Sequence, residues 1–177
     1  MVAAYLLASA AFEVGRYCQA FPNFGAERRG APVMAFVRID TKPILRRSQI
    51  RTPAFLIIQD SGLLSVAGVL DGLHEQGGVL INSPLSSEEL SRSTGKTVVS
   101  FAATSMALQM TGKPLANVAL LSAFASLTGL LPQEALVKAL SARFKGEVLD
   151  KNLKLADTAA NQVPTGSWKD ITNALSA

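Results

Sequence analysis

Short, wholly apolar segments that alternate with helical segments constrain the fold of this chain more than any other feature. Residues 54–58 read Ala-Phe-Leu-Ile-Ile and end at Gln59-Asp60, and further strand-like runs follow at 79–81 and 97–101. Wholly apolar runs are typical of parallel strands that are buried on both faces. Their alternation with helices predicts an α/β fold whose mostly parallel sheet carries helices on both faces.

The predicted helices fill the intervals around these strands, in a Rossmann-like arrangement. They lie at about residues 3–14, 62–73 (with Ser61 as N-cap), 86–91, 103–110, 117–128, 133–143 and 153–160. Residues 17–50 break the rhythm with two strand-like segments, so we predict an inserted hairpin or meander there. The chain is expected to form one α/β domain over residues 1–160. Residues 161–177 are expected to be a loosely held tail in which only Trp168 docks.

The first helix raises a question about the start of the fold. In a doubly wound domain, a helix such as 3–14 follows a strand and a glycine-rich turn. This sequence opens on the helix itself. We therefore expect the N-terminal strand and glycine-rich turn to be absent or replaced by another element, and no anion-binding role at such a turn can be given to residues here.

Composition indicates an unusual surface. Charged residues make up 17% of the chain, against roughly 25% in an average domain. Either the core is large or a partner covers part of the surface, and composition does not separate the two. Residues 2–12 and 116–131 are apolar, but the second segment holds polar residues and falls short of the ~20 residues that a membrane helix needs. Both are predicted to be buried helices, and no membrane association is expected.

The positive charge of the chain is concentrated in one stretch. Residues 27–51 hold seven basic and two acidic side chains, whereas the whole chain has 17 and 13. We call this stretch the basic region; its basic residues are Arg28, Arg29, Arg38, Lys42, Arg46, Arg47 and Arg51. Such a region faces phosphate, an acidic partner or only water. Nucleic acid is not an expected partner, because aromatic residues are few and do not alternate with basic ones.

The scarcity of cysteine and histidine excludes several kinds of site. Cys18 is the single cysteine, so the chain alone forms no disulfide and no four-cysteine zinc or iron–sulfur site. A cytoplasmic location is expected, and Cys18 is predicted to be an inert, buried thiol. His74, the only histidine, is predicted to end a surface helix. No Gly-x-Ser-x-Gly elbow, P-loop or thiamine-diphosphate motif is present. No catalytic residue and no metal ligand is therefore predicted.

The loop at residues 21–32 is the best candidate for a functional element. It combines two prolines, two glycines and a Glu-Arg-Arg cluster, and ordered polar loops of this kind often carry function. A solvated turn is an equally good interpretation from the residues alone. The candidate binding or interface residues are six from this loop and two arginines further along the basic region: Asn23, Gly25, Glu27, Arg28, Arg29, Gly30, Arg46 and Arg47.

Residues 15–32 also carry a family resemblance. They read Gly-Arg-Tyr-Cys-Gln-Ala-Phe-Pro-Asn-Phe-Gly-Ala-Glu-Arg-Arg-Gly-Ala-Pro. This segment closely resembles the gamma subunit, or gamma-type domain, of pyruvate and related 2-oxoacid:ferredoxin oxidoreductases. The similarity continues through 35–39 and 46–60 and, more weakly, to about residue 160. Residues 26–32 look more like the pyruvate type than the 2-oxoglutarate type, and Cys18 stands where valine is usual.

The resemblance implies a required subunit that is not catalytic alone. The complex would be a thiamine-diphosphate-dependent oxidoreductase that converts pyruvate and coenzyme A into acetyl-CoA, CO2 and reduced ferredoxin. Its alpha-, beta- and delta-type subunits would be the partners of this chain, and ferredoxin would meet the complex. Thiamine diphosphate, Mg, iron–sulfur clusters and coenzyme A would belong to the complex, with no cofactor bound by this chain alone.

The resemblance also suggests roles for four arginines, and it leaves two alternative functions open. Four arginines are expected to divide between subunit contacts and the phosphates of coenzyme A: Arg28, Arg29, Arg46 and Arg47. One alternative is a subunit for indolepyruvate or another 2-oxoacid. The other is a stand-alone module that binds coenzyme A or a nucleotide.

Overall fold

The computed structural model describes residues 1–23, 33–46 and 48–175. Strands β3, β4 and β5 form a parallel sheet, and β1 and β2 form a separate antiparallel hairpin. The described strands are β1 Tyr17–Asn23, β2 Met34–Asp40, β3 Phe55–Ile58, β4 Gly78–Asn82 and β5 Thr97–Phe101. The described helices are α1 Val2–Glu13, α2 Ser87–Thr94, α3 Ala103–Thr111, α4 Asn117–Thr128, α5 Gln133–Arg143, α6 Gly146–Ala160 and α7 Lys169–Leu175. The predicted α/β fold and the inserted hairpin are confirmed.

Strand β4 lies at the centre of the sheet and is buried on both faces. Val79 and Ile81 pack with Leu90 of α2 on one face, whereas Leu80 joins the larger cluster formed by the other helices. All three strand side chains are fully buried. Because successive strand residues point to opposite faces, an uninterrupted apolar run is what such a strand requires.

Helix α4 is buried along nearly its whole length, as its apolar sequence predicted. Its buried hydroxyls are satisfied: Ser126 Oγ donates to the Ala160 carbonyl at 3.0 Å, and Thr128 Oγ1 donates to the Phe124 carbonyl at 2.8 Å. Polar groups on a core helix need such partners. In the part of the chain that the structure describes, no helix is long and apolar enough to cross a membrane.

The hairpin packs against α1 through one of its faces. Cys18, Val37 and Ile39 contact the main core, and the Cys18 thiol donates to the Ala8 carbonyl of α1 at 3.1 Å. Burial raises the pKa of this thiol above its ordinary value. Cys18 is half-buried and not fully buried as expected, and its raised pKa favours the less reactive protonated form, so the inertness of the thiol stays a prediction.

The predicted helix at 62–73 is wrong. The chain there forms only a 3-10 turn, Ser61–Ser65, followed by irregular turns. Gly68 and Gly72 adopt positive φ of 82° and 74°. A Cβ on Gly72 would lie 2.1 Å from the Arg51 carbonyl oxygen, so the chain uses glycine for a close approach between segments. The apolar residues of this stretch pack beneath the sheet without needing helical periodicity.

The residues expected to flank that helix are corrected with it. Asp60, not Ser61, caps the turn, because its Oδ1 accepts a hydrogen bond from Gly62 N at 2.9 Å. His74 does not end a helix. Its Nδ1 accepts a hydrogen bond from Gln76 N at 3.3 Å in a turn before β4.

The tail also differs from its prediction as a loosely held segment. Trp168 docks in the main core as predicted, at 2% exposure, but Val163 is buried there as well, at 6% exposure. The Trp168 ring stacks on Phe55 of β3, with centroids 5.5 Å apart, and covers Gly78. Helix α7 was not predicted, and α6 begins at Gly146 instead of residue 153. The expected domain boundary at residue 160 stays a prediction.

Candidate functional site

The hairpin surface that points away from α1, called here the outer face, holds a polar anchor. Arg38 lies with its guanidinium 5.5 Å from the ring centre of Phe21 and donates to Gln19 Oε1 at 3.4 Å. The same guanidinium donates to the carbonyls of Arg46 and Ser48. One arginine therefore ties the backbone of Arg46 and of Ser48 to the hairpin.

Two predicted site residues, Asn23 and Arg46, take part in hydrogen bonds on this outer face. Asn23 Oδ1 accepts a hydrogen bond from Gln49 Nε2 at 2.6 Å, which ties the end of β1 to the segment that carries Arg46. Arg46 is held through its carbonyl by Arg38, while its own side chain is exposed. The guanidinium of Arg46 is thus presented to solvent from a fixed backbone.

The other six predicted site residues lie outside the described residues, and their roles stay predictions. They are Gly25, Glu27, Arg28, Arg29, Gly30 and Arg47.

Arg38 is a residue whose importance the sequence reasoning missed. It was counted in the basic region but was not singled out as a site residue. The register pairs it with Gln19 on the outer face, where a long polar side chain reaches across to a neighbouring segment. A polar residue inside an otherwise apolar strand was the available signal.

A second candidate lies at the carboxyl ends of the three parallel strands. A cleft of about 350 Å³ opens there, and we call it the carboxyl-edge cleft. It is lined by side chains that follow β3 and β4 and by the first turn of α3; they include Gln59, Asp60, Ser61, Asn82, Thr104 and Ser105. Ligands of open α/β sheets bind beyond the carboxyl ends of their strands. The location is therefore the expected one for a ligand in this fold.

Asn82 organises this cleft. Its Nδ2 donates to the Gln59 carbonyl at 2.8 Å and to Thr104 Oγ1 at 2.7 Å. Its Oδ1 accepts from Thr104 N at 3.0 Å, which satisfies one of the free amides in the first turn of α3. A single carboxamide therefore joins β3, β4 and α3, and it leaves the hydroxyls of Ser61 and Ser105 for a ligand.

The chemistry available in the cleft is hydrogen bonding. Asp60 offers one carboxylate, of which Oδ1 already accepts from Gly62 N. Across the ranges 1–23, 33–46 and 48–175, no group of three His, Cys, Asp or Glu side chains is arranged to hold a metal ion. The cleft suits a polar ligand that offers hydroxyl or amine donors to Asp60. Sequence reasoning noted Gln59-Asp60 as a strand end but did not infer a site from it.

Comparison with known proteins assigns this chain to a family. The family model described as pyruvate ferredoxin/flavodoxin oxidoreductase matches residues 1–162. The pyruvate synthase subunit PorC of Methanocaldococcus jannaschii is 45% identical over 163 residues, which cover 92% of this chain and 89% of the relative. The common subunit gamma of pyruvate/ketoisovalerate oxidoreductases of Thermococcus kodakarensis is 44% identical, with coverages of 92% and 89%.

A solved structure agrees with these relatives. The pyruvate oxidoreductase subunit PORC of Thermotoga maritima superposes with a TM-score of 0.78 at 34% identity, and the match covers 90% of this chain and 87% of that one. The resemblance seen in residues 15–32 is thereby confirmed over most of the sequence. The chain belongs to the pyruvate ferredoxin/flavodoxin oxidoreductase family.

Proposed function

We propose that this chain is the gamma subunit of a multi-subunit pyruvate:ferredoxin oxidoreductase. The observation that carries the proposal is the 45% identity to a pyruvate synthase subunit, which extends over 92% of this chain and 89% of the relative. The similarity thus spans most of this chain and most of a pyruvate synthase subunit. The 0.78 TM-score to a PORC structure gives independent support from the fold.

A second candidate function is that of a gamma subunit shared between the pyruvate enzyme and an enzyme for a branched-chain 2-oxoacid. The relative from Thermococcus kodakarensis, named as a common subunit of pyruvate and ketoisovalerate oxidoreductases, is 44% identical. That value is nearly the same as the one for the pyruvate synthase subunit. A shared subunit would leave the choice of 2-oxoacid to the other chains of each complex.

In this proposal the chemistry belongs to the assembled complex. Thiamine diphosphate with Mg would supply the decarboxylation of the 2-oxoacid, iron–sulfur clusters would supply the path of electrons to ferredoxin, and coenzyme A would be the acyl acceptor. The partners are the alpha-, beta- and delta-type subunits, and the complex works in the cytoplasm. The 17% share of charged residues fits a surface that partners partly cover, and it fits a large core equally well.

The basic region is proposed to contact either the partner subunits or the phosphates of coenzyme A. Arginine forks suit phosphate oxygens, and Arg28, Arg29, Arg46 and Arg47 are the candidates. Arg46 supports this idea best, because its backbone is fixed by Arg38 while its side chain is exposed.

The decisive experiment for the subunit proposal is anaerobic purification of the tagged protein from its native host. We expect thiamine-binding and cluster-bearing chains to co-purify, and pyruvate with coenzyme A to reduce a viologen dye. Equal reduction with 2-ketoisovalerate would support the shared-subunit candidate. Recovery of the full chain alone, with no oxidoreductase activity after mixing with host extract, would contradict both.

Arg46→Gln in the purified complex tests the proposed role of the basic region. The KM for coenzyme A should rise by about tenfold with kcat unchanged, as the loss of one charge-assisted hydrogen bond predicts. The matched control is Arg92→Gln, an exposed arginine on α2. If neither the KM nor the amount of assembled complex changes, Arg46 has neither role.

A further inference from the structure

A second pocket lies at the C-terminal end of α4, away from the residues assigned above. It has a volume of about 300 Å³ and is lined by Arg16, Lys169, Thr128 and Asn173, among others. Arg16 follows α1, whereas Lys169 and Asn173 belong to α7. The pocket therefore joins the start of the hairpin to a helix that lies beyond the family match at residues 1–162.

The end of α4 does not use these cations to satisfy its carbonyl groups. The last carbonyls of a helix lack partners within the helix. Here Ser126 O accepts from Gly166 N at 2.8 Å, Leu127 O accepts from Trp168 N at 2.9 Å, and Thr128 O accepts from Thr172 Oγ1 at 3.2 Å. The tail thus caps the helix end, and the two cations of the pocket are not required for that purpose.

Among the residues that the structure describes, the two cations have no acidic partner. Among the described residues the one ion pair within 4.0 Å joins Lys151 to Glu147, so it involves neither Arg16 nor Lys169. Glu13 and Asp170 are the acids nearest to the two cations in sequence, and neither pairs with them. Two positive side chains that share one pocket repel each other, which a bound anion would relieve.

Lys169 is held in place by its aliphatic stem. A Cβ on Gly129 would lie 2.7 Å from Lys169 Cε, and a Cβ on Gly166 would lie 3.2 Å from the same atom. Both glycines adopt positive φ, of 59° and 72°. The lysine stem therefore lies across two glycines that leave room for it, and the residue as a whole is exposed, so its ammonium is open to a ligand.

We propose that this pocket is a binding site for a phosphate group, either inorganic phosphate or a small phosphate monoester. An arginine fork with a lysine point charge is the pairing that recognises phosphate oxygens, and the Asn173 carboxamide adds a further donor. The volume exceeds that of a phosphate ion and reaches the lower range of small-molecule pockets. The site is separate from the basic region and does not depend on the proposed subunit function.

The test is titration of the full chain with inorganic phosphate and with glycerol 3-phosphate, at constant ionic strength. Phosphorus NMR should show line broadening on binding, and the unfolding temperature should rise with ligand concentration. Acetate under the same conditions should give neither effect. Equal stabilisation by acetate and phosphate, or no broadening with either phosphate probe, would overturn the proposal.

Variants assign the effect to the pocket. Lys169→Met keeps the apolar stem over the two glycines and removes only the charge, and Arg16→Gln removes the fork. Each should weaken phosphate binding by about tenfold or more. The control is Lys138→Met, an exposed lysine on α5, which should bind as the original chain does.

A structural role would give a different pattern. If the cations serve only to favour the negative end of α4, Lys169→Met would lower the unfolding temperature in chloride and leave phosphate affinity unchanged, which contradicts the proposal. Lys169→Arg, which restores the charge, should recover most of the affinity. If a variant fails to fold, the titration of the original chain with the two phosphate probes and with acetate still tests the proposal.

Discussion

Two irregular segments of this chain are anchored in opposite ways. The tail after α6 is fixed by a buried ring, since Trp168 stacks on Phe55 and lies in the main core. The segment 44–49, of which residues 44–46 and 48–49 are described, is held at Arg46 and Ser48 by polar contacts at the surface, chiefly the guanidinium of Arg38. The tail reaches its anchor through irregular turns and continues into α7, and of the two segments only the tail contributes to the core.

The difference predicts which segment affects the whole fold. Burial of a large ring removes apolar area from water, and its loss leaves a cavity. Hydrogen bonds at an exposed surface replace bonds to water and contribute little net free energy. The tail anchor should therefore determine global stability, and the Arg38 anchor should determine local order near the proposed site.

Trp168→Ala should have the largest effect. Loss of the ring removes its stacking with Phe55 and opens a cavity over Gly78, so the free energy of unfolding should fall by about 3–5 kcal/mol. Urea unfolding of the full chain, followed by circular dichroism, measures this change.

The control for this prediction is Leu115→Ala. Leu115 is 58% exposed, so its truncation should change the free energy of unfolding by less than about 0.5 kcal/mol. If the two variants lose the same small amount, the tail is not part of the core, and the comparison between the two anchors fails.

The parallel sheet was predictable because its residues satisfy one requirement. Strands that are buried on both faces must be apolar throughout, and β5 was predicted with the bounds that the structure gives it. The buried helix α4, which is also apolar, was likewise predicted with its observed bounds. The same reasoning failed at 62–73, where apolar residues cover the sheet from irregular turns. Apolar content reports burial, and it does not distinguish a helix from a turn when glycines interrupt the segment.

The candidate sites were less predictable because they depend on contacts between distant segments. The family resemblance identified Asn23 and Arg46, but Arg38 and Asn82 gain their roles only from partners brought close by folding. Arg38 reaches the carbonyls of Arg46 and Ser48, and Asn82 bridges β3 to α3. A rule about the carboxyl ends of parallel strands would have found the cleft around Asn82 from sequence.

Arg38→Met should have a smaller and local effect. The change keeps an unbranched stem over Phe21 but removes the donors to residues 46–48, so the free energy of unfolding should fall by at most about 1 kcal/mol. Chymotrypsin should cleave after the exposed Leu45 about five times faster, because about 1 kcal/mol less free energy is needed to open the segment.

Arg92→Met is the matched control for the protease experiment, since Arg92 is an exposed arginine on α2. It should leave the cleavage rate after Leu45 unchanged. A large fall in global stability for Arg38→Met, comparable with that of Trp168→Ala, would show that the outer face is as much a part of the core as the tail.

Asp40→Asn should have the smallest effect, and that effect should depend on pH. A hydrogen bond from the backbone N–H of Lys42, at 3.0 Å, holds the pKa of the Asp40 carboxyl below its ordinary value and closes the turn that leads into the segment 44–49. A lowered folded-state pKa contributes stability above the unfolded pKa, and this contribution is lost as pH falls through the folded pKa. The variant should therefore unfold at a slightly lower urea concentration than the original chain at neutral pH, and the two midpoints should converge as the solution becomes acidic.

Asp150→Asn, at an exposed carboxylate on α6, should give no such pH-dependent difference. A gap for Asp40→Asn that persists in acid would mean that the carboxylate charge does not hold this turn, and that Arg38 anchors the segment without it.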